Sequence, residues 1–236
     1  FGNRHGQSSK YNYLLLQKKM DEATLQMIAA QLRHPHGKEG IETAERMNIG
    51  NKNINLYTIE ALNIQPEESL LEIGMGNGFF VRNILEIDDT VSYTGLDFSA
   101  DMISESTRVN EEFIENGRAQ FQLGEASNIP FPDNSFDKIF TINTIYFWED
   151  PDKVLSEFKR VIKPTGRIYI SVRPKSTMQN YPFVKYGFNM FSKEDLKLLL
   201  ENNNFIVLET IEREEPLMDK YGQFLIPETL IIIATL

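Results

Sequence analysis

The sequence predicts an α/β protein built on a doubly wound, mostly parallel sheet. Three observations carry that expectation. Between Pro66 and Val172 short apolar runs alternate with segments of helical period, three alternate glycines follow the first of those runs, and the last two apolar runs follow one another with no helix between them. Alternation of strand and helix implies parallel crossovers and a sheet covered on both faces.

The elements follow in order. From Tyr11 to Leu32 the apolar residues Leu15, Met20, Met27, Ile28 and Leu32 recur at helical spacing, and His34-Pro35-His36-Gly37 ends the run. Helical stretches at Glu42 to Met47 and Ile54 to Leu62 precede Pro66. These segments read as a helical cap or lid, with the expected division at residues 1–52 for the cap and 53–236 for the sheet domain. Leu70 to Ile73 is a strand, Phe79 to Ile87 a helix, Val91 to Leu96 a strand, and Ala100 to Asn116 a helix stopped by Gly117. Strands Ala119 to Leu123 and Phe136 to Ile142, helix Pro151 to Ile162 and strand Gly166 to Val172 continue the series. Helix Lys193 to Asn202 leads to the strand-like Phe205 to Glu212 and Leu230 to Leu236, which should pair antiparallel because no crossover helix joins them. The aromatic, aperiodic segment 173–191 is long enough to be a variable cap over a site.

Composition narrows the function. With 41% hydrophobic and 25% charged residues the chain can build a packed core. Its 24 Lys+Arg against 34 Asp+Glu, a net charge of −10, repels a phosphate backbone, so nucleic acid is not the expected substrate; no Lys/Arg run is longer than that in Gln17-Lys18-Lys19, which is too short to alter this. The absence of cysteine excludes disulfides and thiolate metal sites and points to a cytoplasmic setting. No apolar run is long enough to cross a bilayer, and Phe1 to Lys10 lacks the apolar core of a signal peptide. No membrane role is expected, and the oligomeric state is open.

Gly74-Met75-Gly76-Asn77-Gly78 lies after a strand and before a helix, where the backbone must turn sharply and admit a ligand closely. A tight turn without a ligand would use the same residues. The dinucleotide fingerprint requires a third glycine one place later, and Phe79 stands there. A bulky side chain at that point argues against a pyrophosphate and favours a ligand without one, such as S-adenosylmethionine. Asp97 ends the second strand about 20 residues on, where a doubly wound fold places the carboxylate that accepts from ribose hydroxyls; a helix N-terminal role is the alternative, with Ser99 an equally good cap. Glu125, after the third strand, has the chemistry to accept from an adenine amine, or to be a solvated loop carboxylate.

In this order and spacing, the residues from about Ser69 to Val172 resemble the class I S-adenosylmethionine-dependent methyltransferases, especially the small-molecule branch of the ubiquinone/menaquinone-biosynthesis type. Phe136-Asp137-Lys138-Ile139, Asn143, and Val161-Ile162-Lys163-Pro164-Thr165-Gly166-Arg167 add to the likeness. The resemblance implies a Rossmann-like, seven-stranded sheet that ends in an antiparallel hairpin. It implies that Glu72 and the loop with Gly74, Gly76 and Gly78 hold the methionine part of the cofactor, that Asp97 holds the ribose, that Phe98 and Met102 surround the adenine, and that Glu125 and Ala126 lie at its edge. Relatives close over the cofactor just before the core, which makes Met47, Asn48 and Asn51 lid candidates. Glu125 departs from the Asp that many relatives carry, and Met75 from the small, acidic or Pro residues usual there.

Methyl transfer from a sulfonium needs alignment and exclusion of water more than it needs a base. Where a base is required, Tyr146, Glu149 and Asp150 follow the fourth strand, and Tyr146 is the expected catalytic residue, with Asn143 beside the cofactor. Tyr146, Phe147 and Trp148 are equally suited to packing against the sheet. Tyr181, Phe183, Tyr186, Phe188 and Phe191 are suited to wall an apolar or planar acceptor. His34, His36 and Glu39 lack a supporting ligand set, so no metal is expected and the His-x-His pair reads as a helix-ending turn. The expected activity is methylation of a small molecule; a non-catalytic cofactor-binding protein and a nicotinamide-dependent oxidoreductase are the competing readings, the latter in conflict with Phe79.

Overall fold

The computed structural model describes residues 20–220 and 223–236, so the part of the expected first helix before Met20 lies outside the described residues. Three helices come first: α1 (Glu22–Arg33), α2 (Gly37–Gly50) and α3 (Lys52–Leu62). They are followed by β1 (Ser69–Ile73), α4 (Val81–Leu85), β2 (Ser92–Asp97), α5 (Ala100–Val109), α6 (Glu111–Glu115), β3 (Ala119–Leu123) and β4 (Phe136–Ile142). The chain continues through α7 (Pro151–Val161), β5 (Ile162–Val172), α8 (Lys175–Met178), α9 (Lys193–Asn202), β6 (Ile206–Glu214), β7 (Met218–Lys220), β8 (Gln223–Leu225) and β9 (Glu228–Thr235).

A seven-stranded sheet runs in the order β3-β2-β1-β4-β5-β9-β6. The first five strands are parallel, and β9 is antiparallel to both β5 and β6, which is the expected terminal pair. Alternate residues of the central strands face opposite sides. Leu71, Ile139 and Ile170 meet Phe158 of α7 and Leu196 and Leu200 of α9 in one core, whereas Leu70, Phe140 and Tyr169 meet Leu62 of α3 and Ile84 of α4 in the other. Both faces are therefore covered, as continuous apolar strands require.

Capping explains several boundaries. Asp21 accepts from Thr24 N at 2.7 Å to start α1, Asp150 and Pro151 start α7, and Ser192 and Asp195 form a reciprocal capping box on α9. The expected helix from Ala100 to Asn116 is in fact two, because the Asn110 side chain turns inward, donating to the Gly78 carbonyl (3.0 Å) and the Ser106 carbonyl (3.0 Å). The helix expected from Phe79 is confined to Val81–Leu85, since Phe79 and Phe80 belong to the glycine turn. The β7–β8 hairpin, inserted between β6 and β9, was not expected from the sequence. α3 packs on β4 and β5; α1 and α2 pack on each other, and α2 also reaches α5.

The strand order reverses between β1 and β4. The turns that leave the carboxyl ends of these two strands therefore diverge and open a crevice, the usual ligand position in an open α/β sheet.

Candidate functional site

The glycine turn leaves β1 at this crevice. Gly74 has φ +72, and a Cβ there would lie 2.4 Å from Thr144 Cγ2, so both backbone and space require glycine. Gly76, at φ +59, differs: a Cβ there would meet nothing within 4 Å. Its bare backbone faces open space, as a ligand cradle requires. Gly74→Ala is expected to cost about 2 kcal/mol or more, seen as a fall of about 4–8 °C in thermal denaturation; an unchanged melting temperature would show that the turn relaxes freely.

Asp97 ties the turn to the second strand. Its Oδ2 accepts from Gly76 N at 3.0 Å and its Oδ1 from Ser99 N at 2.9 Å, while Gly124 N donates to the Asp97 carbonyl at 2.9 Å. The turns after β1 and β2 thus meet on the Asp97 carboxylate, and the turn after β3 on its backbone carbonyl. An ionised carboxylate offers about four acceptor positions, so capacity to accept from a ligand remains beside these amides. Burial pushes the Asp97 carboxyl up to about 6, against the opposing effect of N–H donors from Ser99, Gly76 and Phe98. Glu72, on β1, is pushed up to about 7, first by burial and further by the charge of Asp97, while the Tyr93 hydroxyl, donating to Glu72 Oε2 at 2.6 Å, acts in the other direction.

Around this centre, Phe98 is 46% exposed and its ring lies 4.6 Å from that of His34. The His34–Gly37 link is fastened to the start of α5: Ser99 Oγ donates to the Pro35 carbonyl (2.5 Å) and Gly37 N donates to Asp101 Oδ2 (2.7 Å). Ser99 also caps α5, accepting from Met102 N at 3.3 Å. The His-x-His pair thus forms a turn between α1 and α2, and among the described residues no group of three His, Cys, Asp or Glu is placed to hold a metal. Glu125 is exposed just beyond β3, with Ala126 half-buried beside it. Met102, expected near the adenine, is fully buried under the start of α5 and presents no surface to the crevice.

A cavity of about 600 Å³ opens beside Asn143, roofed by α1 and α2 and floored by the turn after β4 and by segment 173–191. Of the residues the sequence offered for a lid or acceptor wall, Met47, Asn51 and Tyr181 line this cavity, and Asn48 and Tyr186 are absent from its wall. The Tyr186 hydroxyl is buried with no hydrogen-bond partner among the described residues.

The expected base role does not fit the geometry. The Tyr146 hydroxyl accepts from Arg173 N (2.7 Å) and its single proton is directed at Asn143 Oδ1 (2.9 Å) or the Arg173 carbonyl (2.9 Å). Burial raises its pKa well above that of an ordinary phenol. A phenol so placed braces the end of β4 against the end of β5. It holds Asn143, whose φ of +58 is strained for a side chain other than glycine, and whose Oδ1 also accepts from Arg173 N at 3.2 Å. Glu149 pairs with Arg33 at 2.8 Å in solvent, Asp150 caps α7, and Trp148 packs edge-on against Phe158 in the core.

Sequence reasoning missed Arg173 and Glu215. Both are 3% exposed; Arg173 Nη1 and Nη2 donate to Glu215 Oε1 (2.8 Å) and Oε2 (3.1 Å), and Nη2 also donates to the Gly50 carbonyl at the end of α2 (2.9 Å). A lone arginine directly after the apolar β5 was the available signal. Glu215 gave none, because its partner is 42 residues away.

A family profile described as a methyltransferase domain matches residues 71–170. The chain is 30% identical to a demethylmenaquinone methyltransferase of Beutenbergia cavernae, over 69% of this chain and 68% of that protein. It is 26% identical to an O-methyltransferase of Pyrenophora dematioidea, over 75% of this chain and 71% of the other. A solved SAM-dependent methyltransferase from Aquifex aeolicus shares the fold with a TM-score of 0.66 at 19% identity, covering 82% of this chain and 96% of that one.

Proposed function

The chain belongs to the class I S-adenosylmethionine-dependent methyltransferases, in their small-molecule branch, and from that premise we propose how its residues divide the work. Glu72 and the turn through Gly74, Gly76 and Gly78 hold the amino-acid end of S-adenosylmethionine, and Asp97 accepts from the ribose hydroxyls. Phe98, Glu125 and Ala126 border the adenine, and Asn143 stands between the cofactor and the cavity. Residues 1–52 form the cap and 53–236 the catalytic domain, with 173–191 closing the acceptor side.

When bound, the cofactor supplies a methyl group on a positively charged sulfur, already activated for in-line displacement. The protein's part is to align the acceptor and keep water out. Tyr146 and Arg173 do so by bracing Asn143 and the roof, and neither takes up a proton. The acceptor is a small molecule held in the cavity. With no cysteine in the sequence, a cytoplasmic setting is the one we propose; no helix among the described residues is long and apolar enough to cross a membrane.

The observation that supports this reading most is the bond from Gly76 N to Asp97, by which the open backbone at Gly76 and the Asp97 carboxylate meet in the crevice. Calorimetric titration of S-adenosylhomocysteine tests it. Asp97→Asn should weaken binding roughly 10- to 100-fold, since hydrogen bonds to an ionised group are the strong ones. Affinity of the unmodified protein should fall as pH drops below about 6, where Asp97 takes up a proton. Undiminished binding by the Asn variant would remove Asp97 from the site.

A further inference from the structure

The cavity separates into a buried end without spare charge and an acidic mouth. At the buried end Tyr146, Met178, Tyr181 and Phe183 form the wall, with the Tyr181 and Phe183 rings stacked at 5.5 Å and 5°. Arg173, the charged group at this end, is already committed, as are the Tyr146 and Gln31 side chains. Glu215 occupies both terminal nitrogens of Arg173 and also accepts from Thr229 Oγ1 at 2.7 Å; the Tyr146 hydroxyl is bound to backbone; the Gln31 amide is tied to the His36 backbone on both its ends. An ion moved to this end would lose its water and find no uncommitted counter-charge.

The mouth has the opposite character to an anion site. Glu39 and Asp219 line it, exposed and without an ion pair among the described residues, while Arg46 has Glu42 at 3.8 Å. An anion would approach against this local field and against the chain's net charge of −10. A cation would be drawn to the mouth and find no counter-charge inside.

We propose that the acceptor is an uncharged, largely apolar aromatic molecule and that the cavity discriminates against anionic analogues of it, an inference that rests on reading this cavity as the acceptor site. A volume of about 600 Å³ suits one such molecule. Flat stacked walls favour a planar ring system.

Two dyes with the same anilinonaphthalene skeleton test the charge preference: neutral N-phenyl-1-naphthylamine and anionic 1-anilinonaphthalene-8-sulfonate. Fluorescence titrations are run on the full chain with S-adenosylhomocysteine present, and calorimetry of that nucleoside is run in parallel. The neutral dye should bind saturably and roughly tenfold or more tightly than the sulfonate. Glu39→Lys and Asp219→Lys should strengthen the sulfonate's binding. Phe183→Ala should weaken the neutral dye; Met27→Asp, at a position 54% exposed on the roof, serves the same purpose without opening the core. Equal or tighter binding of the sulfonate, or no saturable neutral-dye binding in protein that binds the nucleoside, overturns the proposal. If the nucleoside fails to bind, the cofactor reading falls with the word acceptor, while the two dyes still decide the charge preference of the cavity.

Discussion

Glu215→Ala is expected to destabilise the protein by about 3–5 kcal/mol, because it strands a buried guanidinium without its counter-charge. The two nitrogens of Arg173 that face Glu215 are 3% exposed with the rest of the residue and cannot recruit bulk water in place of the lost carboxylate. Thr229 loses its acceptor in the same step. For a chain of this size the change corresponds to a fall of about 10 °C or more in melting temperature. Replacing both partners with apolar residues, as in Arg173→Met with Glu215→Leu, should recover much of the loss, since a buried ion pair contributes little net stability although breaking it is costly. The double variant should nevertheless bind acceptors poorly, because the Gly50 carbonyl at the end of α2 no longer has the Arg173 donor that fixes the roof. Thermal melts of the single and double variants check the first part; a single variant that melts within a degree or two of the parent would refute it.

The second large effect is on pH. Between pH 5 and pH 8 the cofactor-free protein should lose stability as pH rises. The sign follows from the direction of the shifts. Glu72 and Asp97 have folded pKa values of about 7 and about 6, above their ordinary values of 4.5 and 3.8. Each favours the folded state while protonated. That contribution is complete below the ordinary value and is lost as pH passes through the folded one. A shift of this size corresponds to about 3 kcal/mol for each group, as an order of magnitude. The carboxylates whose pKa is lowered, including Glu60, Glu157 and Asp195, act in the opposite sense but only below about pH 4.5, where they begin to protonate. They leave the window clear. Glu72→Gln, which keeps an acceptor for Tyr93 but carries no charge, should flatten the upper half of the profile and melt above the parent at pH 8. A parent protein with a flat or rising profile from pH 5 to 8 would show that these carboxyls are solvated in solution.

How much of this was legible depended on distance along the chain. The alternation from Leu70 to Val172 was readable because a strand buried on both faces must be apolar throughout, while a helix lying on it carries an apolar stripe. The three glycines were readable because Phe79 follows them where a dinucleotide site would need another glycine. Asn110 was not readable: in a window of helical period it looks like one more surface residue, and only its bonds to the Gly78 and Ser106 carbonyls show why the helix stops there. Tyr146 was misread for the same reason. Its position after β4 suggested chemistry, but its hydroxyl is buried and bound to the Arg173 backbone at the end of the neighbouring strand.

The amino-acid sequence alone therefore determined the class of fold, the turn after β1, the carboxylate at the end of β2 and the acidic balance of the surface. Each of these is a local pattern, and local patterns follow from backbone sterics and the period of side-chain burial. Tertiary structure decided the rest: the pairing of Arg173 with Glu215, the commitment of the Tyr146 hydroxyl and the cavity under α1 and α2. Those depend on which polar groups meet once water has been excluded, and burial makes a partner's presence or absence decisive at separations that no sequence period encodes.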